Sequence, residues 1–409
     1  MNVSLYVQGL VHGGEGLARH EGRVVFLRGA APGDRVEAEL TGEGRFERVR
    51  PLRILERGSA HVDAPCGIVD RCGGCPLQHV SYEAQLAAKQ ELAADALERI
   101  GGFARGTYEL TPIVPGPIPF RYRRRARLHR AAGGRWGFAH RGAAAVEPVD
   151  ECLLFEPLLE DLAGVARAAG DLPSVRDLGL LAGERKGAID LRLEGPVTPG
   201  LRRRAEKLLE HEIVRGITLA GVVLGDPVIA DAPLANGARV RARPDTFAQA
   251  NRAMVPELQR QAAEALGDAQ RILELYCGSG TLTLPLLGAG RRIAAAESSA
   301  LSLALLRRSA DEAGLSVKLI AGDAAEVART FDQPVDAVLL DPPRTGAADA
   351  VRALGSLRPP RVVYVSCDAP TLARDGKLLA QSGYRLERAA PLDLFPQTAH
   401  FEVVATFVR

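Results

Sequence analysis

The alternation of apolar and polar positions divides the chain into three stretches. Residues 1–57 read as short strands broken by glycine, "SLYVQGL", "EGLARHEG", "RVVFLRGAAPGDRVEAEL" and "RFERVRPLRIL", a pattern that predicts a small β-barrel. The segment 81–102, "SYEAQLAAKQELAADALERIGG", is rich in alanine and leucine, opens on Ser81 as a cap and closes on glycines, which predicts a helix. Proline-rich 111–120, "TPIVPGPIPF", predicts a loop. Residues 121–245 are mixed, with strands such as "AIDLRL" and "GVVLGD" and a helix around "PGLRRRAEKLLEHE". From about 250 the pattern becomes regular: a helix over 252–267, the strand 271–276 "RILELY", then "RRIAAAES", "VKLIAGD", "VDAVLLDPP" and "RVVYVSC", each separated by a helix, and a last strand "HFEVVATFV". Strands spaced by helices predict right-handed crossovers and a mostly parallel, doubly wound α/β sheet. The expected units are 1–57, 58–245 and 246–409.

Length agrees with two or three domains, since 409 residues exceed one ordinary core. Hydrophobic residues make up 46% and charged residues 25%, a globular balance, and no run of ~18 apolar residues suggests a membrane span. The first residues lack the basic start, apolar middle and cleavage site of a secretory leader. The expectation is a cytoplasmic protein with no membrane partner, acting as a monomer. Net charge is only +2, so no global field advertises a nucleic-acid partner. The basic residues are 5 lysines and 47 arginines, and their placement carries more information than their number.

Polar and unusual residues gather where the strands of the regular region end, which is where open α/β sheets bind ligands. The first strand ends in "YCGSGTLTL", with Gly278 and Gly280 allowing a tight turn. The second ends at Glu297, 19 residues after Gly278, at the remove expected of an acid that bonds ribose hydroxyls. The next ends are Asp323, Asp341-Pro342-Pro343 and Cys367. With no third close glycine and no P-loop lysine, pyrophosphate is disfavoured; S-adenosylmethionine, which carries ribose and adenine but no phosphate, fits best.

Cys367 stands at the mouth of this inferred pocket, where a cysteine with a lowered pKa is a nucleophile. Alternation along "AHFEVVATF" puts His400 and Glu402 on one strand face. Glycine turn, acid, Asp-Pro-Pro and strand-end cysteine together suggest a methyl transfer that needs covalent activation. C5 of uracil is a poor nucleophile towards a sulfonium methyl. A thiolate added at C6 makes C5 enolate-like, and a base must then remove the C5 proton so that the sulfur can leave.

Three of the six cysteines fall within ten positions, as Cys66-x5-Cys72-x2-Cys75. Cys277 lies in the donor loop and Cys367 at the strand end, which leaves Cys152 as a distant fourth. Four thiolates suit an iron–sulfur cluster or structural zinc, and zinc could use His79 instead. Residues 121–141 hold eight arginines and no acid. A strand over 121–129 puts Arg121, Arg123, Arg125 and Arg127 on one face, where a phosphate backbone relieves their repulsion. Tyr122, Trp136 and Phe138 are available to stack on bases or to pack in the core.

"YVSC…TLARD", "FPQTAHFE", "FAQAN", "DPPRTG" and "ELYCGSG" together resemble the RNA uracil-5 methyltransferase family over essentially the whole chain, and "GEGLAR" with "GAAPGDRV" is similar to its TRAM domain, a small RNA-binding barrel. The resemblance implies a class I (Rossmann-like) S-adenosylmethionine-dependent fold behind an OB-like barrel and a mixed α+β central domain. It implies Cys367 as nucleophile and Glu402 as proton-abstracting base. It also implies a donor pocket of Gln249, Tyr276, Thr281, Glu297, Asp323 and Asp341, with Gln249 and Asp341 able to touch the uracil. Members directed at ribosomal RNA carry Cys-x5-Cys-x2-Cys and a later cysteine around a [4Fe-4S] cluster, which implies Cys66, Cys72, Cys75 and Cys152 as its ligands. It favours 23S rRNA as partner, with uracil 54 of tRNA as the alternative. The chain departs from the family's Ser-Cys-Asn-Pro-x-Thr at Asp368-Ala369-Pro370, and an inward-facing Asp368 would oppose thiolate formation. Competing readings fit less well. A radical methylthiotransferase uses Cys-x3-Cys-x2-Cys; an adenine-N6 enzyme leaves Cys367 and Glu402 idle; a cytosine-5 enzyme places its cysteine after the motif proline, where Arg344 stands. A non-catalytic iron–sulfur RNA-binding protein has no need of thiol, base and donor acid together.

Overall fold

The computed structural model describes every residue except 1, 43, 144, 171, 173 and 289. At the N-terminus a three-stranded sheet (Asn2–Tyr6, Arg35–Glu39, Arg53–Glu56) and a four-stranded sheet (Gly9–Leu10, Gly16–His20, Arg23–Leu27, Phe46–Val49) enclose a core of Val3, Leu5, Val7, Val25, Leu27 and Val36. Strict alternation makes this possible: in Asn2–Tyr6 and Arg35–Glu39 every second side chain is buried. Buried Asp34 closes the unit. Its carboxylate accepts from the N–H groups of Ala31 (2.8 Å) and Gly58 (2.9 Å) and pairs with His61 (2.8 Å), fastening the barrel to the chain that leaves it.

The middle of the chain forms a seven-stranded sheet in the order Val146–Pro148, Trp136–Ala139, Arg125–Arg130, Val175–Ala182, Gly187–Leu193, Val214–Leu219, Val222–Gly225. Helices Pro157–Ala168 and Pro199–Leu209 pack their apolar stripes on it, with Leu159, Leu162, Leu201 and Leu208 in the shared core.

Eight strands form the last sheet, in the order Lys318–Ala321, Arg292–Glu297, Arg271–Leu275, Ala337–Leu340, Arg361–Ser366, Glu402–Val408, Arg385–Leu392, Glu109–Leu110. The first five are parallel and Glu402–Val408 inserts antiparallel beside Arg361–Ser366. This is the doubly wound sheet expected, and its strand order brings the fifth strand's end and the last strand's start together.

Residues 58–245, expected as one central unit, do not pack as one. Helix Tyr82–Arg99 buries Ala93, Ala96 and Leu97 in the core of the C-terminal sheet, and Glu109–Leu110 extends that sheet. The helix's apolar face needs a partner, and the sequence pattern does not say which sheet supplies it. The expected strand over 121–129 is also shorter, starting at Arg125. Arg121 has φ 53°, a turn conformation, and Arg123 bridges to Phe155 and Asn251 instead. Among the described residues no helix is long and apolar enough to cross a membrane.

Candidate active site and cysteine cavity

Cys367 follows the buried strand Arg361–Ser366 directly, and Glu402 opens the adjacent antiparallel strand, where Ser366 is paired with Val403. Asp341 ends the neighbouring strand on the other side. Sheet order therefore places Cys367, Glu402 and Asp341, the expected nucleophile, base and Asp-Pro-Pro acid, on consecutive strand ends. Because the last strand begins at Glu402, strand alternation does not reach His400. The residue is half-buried, its buried Nδ1 has no partner among the described residues, and burial followed by Arg344 pushes it down to about 4.

Electrostatics tie the group together. Burial pushes Asp341 up to about 7. Burial, then the charge of Asp341, holds Glu402 well above the usual carboxylate range, against the pull of Arg344. The Cys367 thiol, expected to be lowered, is pushed up to about 12 by burial, then by Glu402. The physical reason is that burial and neighbouring carboxylates both disfavour a charged sulfur. Arg344, to which the sequence assigned no role, is the cation that opposes both shifts.

Asp368 does not face inward. It is the N-cap of helix Ala369–Gln381, accepting from the Thr371 N–H (2.9 Å) and the Thr371 hydroxyl. His12 of the N-terminal barrel lies 3.5 Å from its other oxygen. That contact, then the bonds from Thr371, holds Asp368 well below the usual carboxylate range. Next in the helix, Thr371 and Arg374 donate to the carbonyls of Arg344 (3.1 Å) and Thr345 (2.9 Å), and buried Asp375 accepts from the Ala347 N–H (2.7 Å) and the Tyr364 hydroxyl (2.7 Å). The helix behind the cysteine thus fixes the loop behind Asp341.

The remaining residues expected in the donor pocket lie at or near the ends of the same strands or in the segments beside them. Tyr276 leaves the first strand with φ 63° and is pushed up to about 12 by burial, then by Asp323. Gly280 has φ 90°, and a Cβ there would sit 2.4 Å from Leu306, so the turn requires glycine. Glu297 accepts from the Gly278 N–H (3.0 Å) and the Ser299 N–H (2.8 Å), joining the glycine turn to the next helix. Oδ1 of Asp323 caps its own helix through Ala325 and Glu326, and Oδ2 stays available. The Thr281 carbonyl accepts from Gln259 of helix Val255–Leu266 (2.8 Å). Gln249 precedes that helix, buried, with Arg124 donating to its carbonyl (2.9 Å).

Cys66, Cys72, Cys75 and Cys152 line one small cavity of about 20 Å³, together with Phe138 and Leu154. The Gly74 N–H donates to the Cys72 sulfur (3.4 Å) and the Cys66 N–H to Gln78 (3.2 Å). Burial pushes Cys75 up to about 12 and Cys152 to about 11, and neighbouring thiols add to each. Among the described residues no three or more His, Cys, Asp or Glu side chains stand close enough to hold a single metal ion. His79 does not line the cavity but packs near His61, ring centroids 6.1 Å apart.

Alternation along 121–129 survives in part: Arg121 and Arg127 are exposed, Arg123 and Arg125 half-buried. Arg124 points inward to Asp231. Tyr122 and Trp136 are both 3% exposed, in the core, and Phe138 packs edge-on against Phe155. The aromatic that the sequence reading missed is Phe247 of "FAQAN", 62% exposed, with the Arg125 guanidinium 5.9 Å from its ring. Its position two residues before Gln249 was the available signal.

Residues 234–408 match the model of the tRNA (uracil-5-)-methyltransferase family, and residues 3–42 match the TRAM domain. The chain is 35% identical to a 23S rRNA (uracil(1939)-C(5))-methyltransferase of Pseudomonas aeruginosa, covering 98% of this chain and 93% of that protein. It is 34% identical to an uncharacterized RNA methyltransferase of Thermosynechococcus vestitus, covering 98% and 97%. In fold it is similar to the Pyrococcus abyssi tRNA (uracil-54, C5)-methyltransferase crystallised with S-adenosyl-L-homocysteine, with TM-score 0.75, 23% identity and 99% of each chain covered. With strand-end thiol, neighbouring carboxylates and N-terminal barrel in one chain, and relatives of this identity over its full length, the protein belongs to the RNA uracil-5 methyltransferase family.

Proposed function

We propose that this protein methylates C5 of a uridine in 23S rRNA, using S-adenosylmethionine and a transient bond between Cys367 and C6. The observation that carries the reading is the convergence of Cys367, Glu402 and Asp341 on consecutive strand ends beside the glycine turn. Bound above that turn, S-adenosylmethionine would supply an electrophilic methyl group; Glu297 and Asp323 have acceptor sites left for ribose and amine groups. The Cys367 thiolate adds to C6, the ring electrons move towards C5 and O4, and C5 takes the methyl. Glu402 then accepts the C5 proton and the S–C6 bond breaks, returning the thiolate. Hydrogen on the base is replaced by methyl, with one proton released. Gln249 and Asp341 orient the uracil. The ribosomal substrate is supported by the names of the relatives at 31–35% identity, and the paired Arg125 and Phe247 support a surface that holds and stacks single-stranded RNA.

Cys66, Cys72, Cys75 and Cys152 would hold a [4Fe-4S] cluster. Four soft thiols on one cavity suit it, as does an N–H directed at a coordinating sulfur. A tetrahedral zinc ion would need its thiolates within about 4 Å of one another. The cluster would act as a staple: two residues beyond Cys75, Leu77 donates to the carbonyl of Gln397, in the segment that leads to Glu402.

RNA carrying 5-fluorouridine tests the chemistry, because fluorine at C5 blocks the proton abstraction. Incubated with S-adenosylmethionine, unmodified 23S transcript containing it should give a band that survives a denaturing gel, and tRNA transcript should not. Cys367→Ala should abolish the band. A band formed equally well by Cys367→Ala would overturn the mechanism, and one formed with tRNA alone would overturn the substrate.

A further inference from the structure

Strands of a small barrel alternate core-facing apolar residues with polar residues that face water. In the four-stranded sheet of the N-terminal barrel the inward set obeys this: Ala18, Val25 and Leu27 lie in the core, with Val49 packed against it. The outward set does not. Strand pairing aligns Leu17 with Phe26 and Phe26 with Arg48, and in the neighbouring row Arg19 with Val24 and Val24 with Phe46. Paired residues point to the same side of a sheet, so these six side chains form one outward grid, in which four are apolar, two are arginines and none is an acid. Phe46 is 62% exposed, on the edge strand Phe46–Val49, where an uncovered aromatic is a liability unless it has a partner.

Aromatics and cations in the grid stand in stacking range. The Phe26 and Phe46 rings are 6.4 Å apart, and the Arg48 guanidinium lies 4.7 Å from the centre of Phe26 and 6.0 Å from that of Phe46. Buried Glu15 fixes it there, its carboxylate accepting from Nε of Arg48 (3.1 Å) and Nε of Arg28 (3.4 Å). One carboxylate shared by two guanidinium groups leaves a positive excess. Among the described residues Arg48 is engaged through Nε, which leaves its terminal N–H groups as donors.

The loop over residues 11–15 ties this face to the active site. It is closed by the Gly14 N–H on the Val11 carbonyl and the Val11 N–H on the Glu15 carbonyl, each 2.9 Å. Glu15 holds Arg48 at one end. At the other, His12 lies 3.5 Å from Asp368, the residue after Cys367. Three residues of chain span at most about 11 Å, so grid and sulfur flank the same short loop.

Resting on the methyl-transfer reading above, we propose that Phe26, Phe46 and Arg48 form a stacking subsite for one unpaired nucleotide of the substrate RNA, a few positions from the target uridine. The base stacks on the exposed face of Phe46, and Arg48 donates to the adjoining phosphate. Single-stranded RNA suits such a face because every base offers a π surface and the backbone supplies the opposite charge. Phe46 and Arg48 lie beyond the residues 3–42 that match the TRAM domain, so that match does not assign the subsite.

The test is equilibrium binding of the full-length protein to the 23S transcript and to single-stranded oligouridylate, with no methyl donor present. Phe46→Ala should weaken binding about five- to hundredfold, the range lost with one base stack, and leave the salt dependence as it is. Arg48→Gln should flatten that dependence, lowering the slope of log K against log salt by about 1, the share of one phosphate contact. The single tryptophan, Trp136, is 3% exposed, so Phe46→Trp adds a solvent-facing reporter whose fluorescence oligouridylate should quench. Phe46 is exposed, so its variants should fold, and melting followed by circular dichroism verifies it. Phe46→Ala that binds both RNAs as wild type does, or a Phe46→Trp signal that RNA leaves unmoved, would overturn the proposal and give the face to a protein partner. The two readings fail separately. A wild type that forms no fluorouridine adduct, while Phe46→Ala still weakens binding, sinks the methyl-transfer reading and leaves the subsite standing; a normal adduct with unchanged binding does the reverse.

Discussion

On the proposed reading, Glu402 is a base that starts from an unfavourable position. Burial and the nearby charge of Asp341 keep its proton on, and only the ionised form can take the C5 proton. A raised carboxylate must lose its proton before the site works, so kcat should climb with pH through an inflection above the ordinary glutamate value of about 4.3, and a kcat–pH profile checks this. Glu402→Gln keeps the volume and removes the basicity. It should let Cys367 add to C6 and the methyl arrive, then stop, so that natural uridine RNA accumulates as a covalent, methylated adduct on a denaturing gel. Turnover should fall by about a hundredfold or more, the range lost with a general base. Wild-type release of product by Glu402→Gln would assign the base elsewhere. The residues proposed at this scale could be named before any coordinates, because Cys367 and Glu402 sit in motifs whose chemistry limits the choice. Arg344 was not legible: it was one arginine among 47, and only its charge, which opposes the upward shifts of Cys367 and Glu402, sets it apart.

At the scale of one element, helix Ala369–Gln381 explains the departure at Asp368-Ala369-Pro370. Aspartate caps a helix as well as asparagine does, and Pro370 lies in the first turn, where no N–H partner is required. The local demand is for a short side-chain acceptor, and the family's asparagine and this chain's aspartate both satisfy it. Asp368→Asn should therefore keep the cap and lose only the pairing with His12, leaving the melting temperature and alkylation of Cys367 close to wild type. Asp368→Ala should cost about 1 kcal/mol, read as a lower melting temperature. An Asp368→Asn protein as unstable as Asp368→Ala would show that charge, rather than capping, holds the loop. The helix followed from local sequence, and the cap did not. The direction of the carboxylate did not, because the Thr371 bonds compete with the sulfur for it.

Across the whole molecule, several distant segments converge on the short stretch before Glu402. Lys89 and Asp393 form a fully buried pair (2.7 Å), and Lys89 also donates to the Phe395 carbonyl (3.1 Å). Gln85 and Gln397 bond reciprocally, each at 3.0 Å, while Tyr122 donates to the Pro396 carbonyl (3.0 Å). Leu77, next to the cysteine cavity, completes the set at 3.2 Å. On the proposed reading the cluster anchors one side of this arrangement. Protein purified without oxygen should be brown and carry about four irons per chain. Cys152→Ser, which removes the proposed ligand from the segment between strand Val146–Pro148 and helix Pro157–Ala168, should lose the colour, melt at lower temperature and form the fluorouridine adduct more slowly. A colourless wild type loaded with zinc instead would remove the cluster from the account.

By itself the sequence determined the doubly wound sheet, the N-terminal barrel, and the residue types needed for covalent methyl transfer. Period-two and period-3.6 patterns and strand-end motifs are local properties, readable wherever a segment's burial follows its own alternation. Only the tertiary structure decided that helix Tyr82–Arg99 belongs to the C-terminal sheet, that Tyr122 and Trp136 are core residues while Phe247 is exposed, and that Asp368 caps its helix through Thr371. Each of those depends on which surfaces meet across long separations in the chain. Apolar faces and charged side chains are open to several partners until packing and desolvation select one.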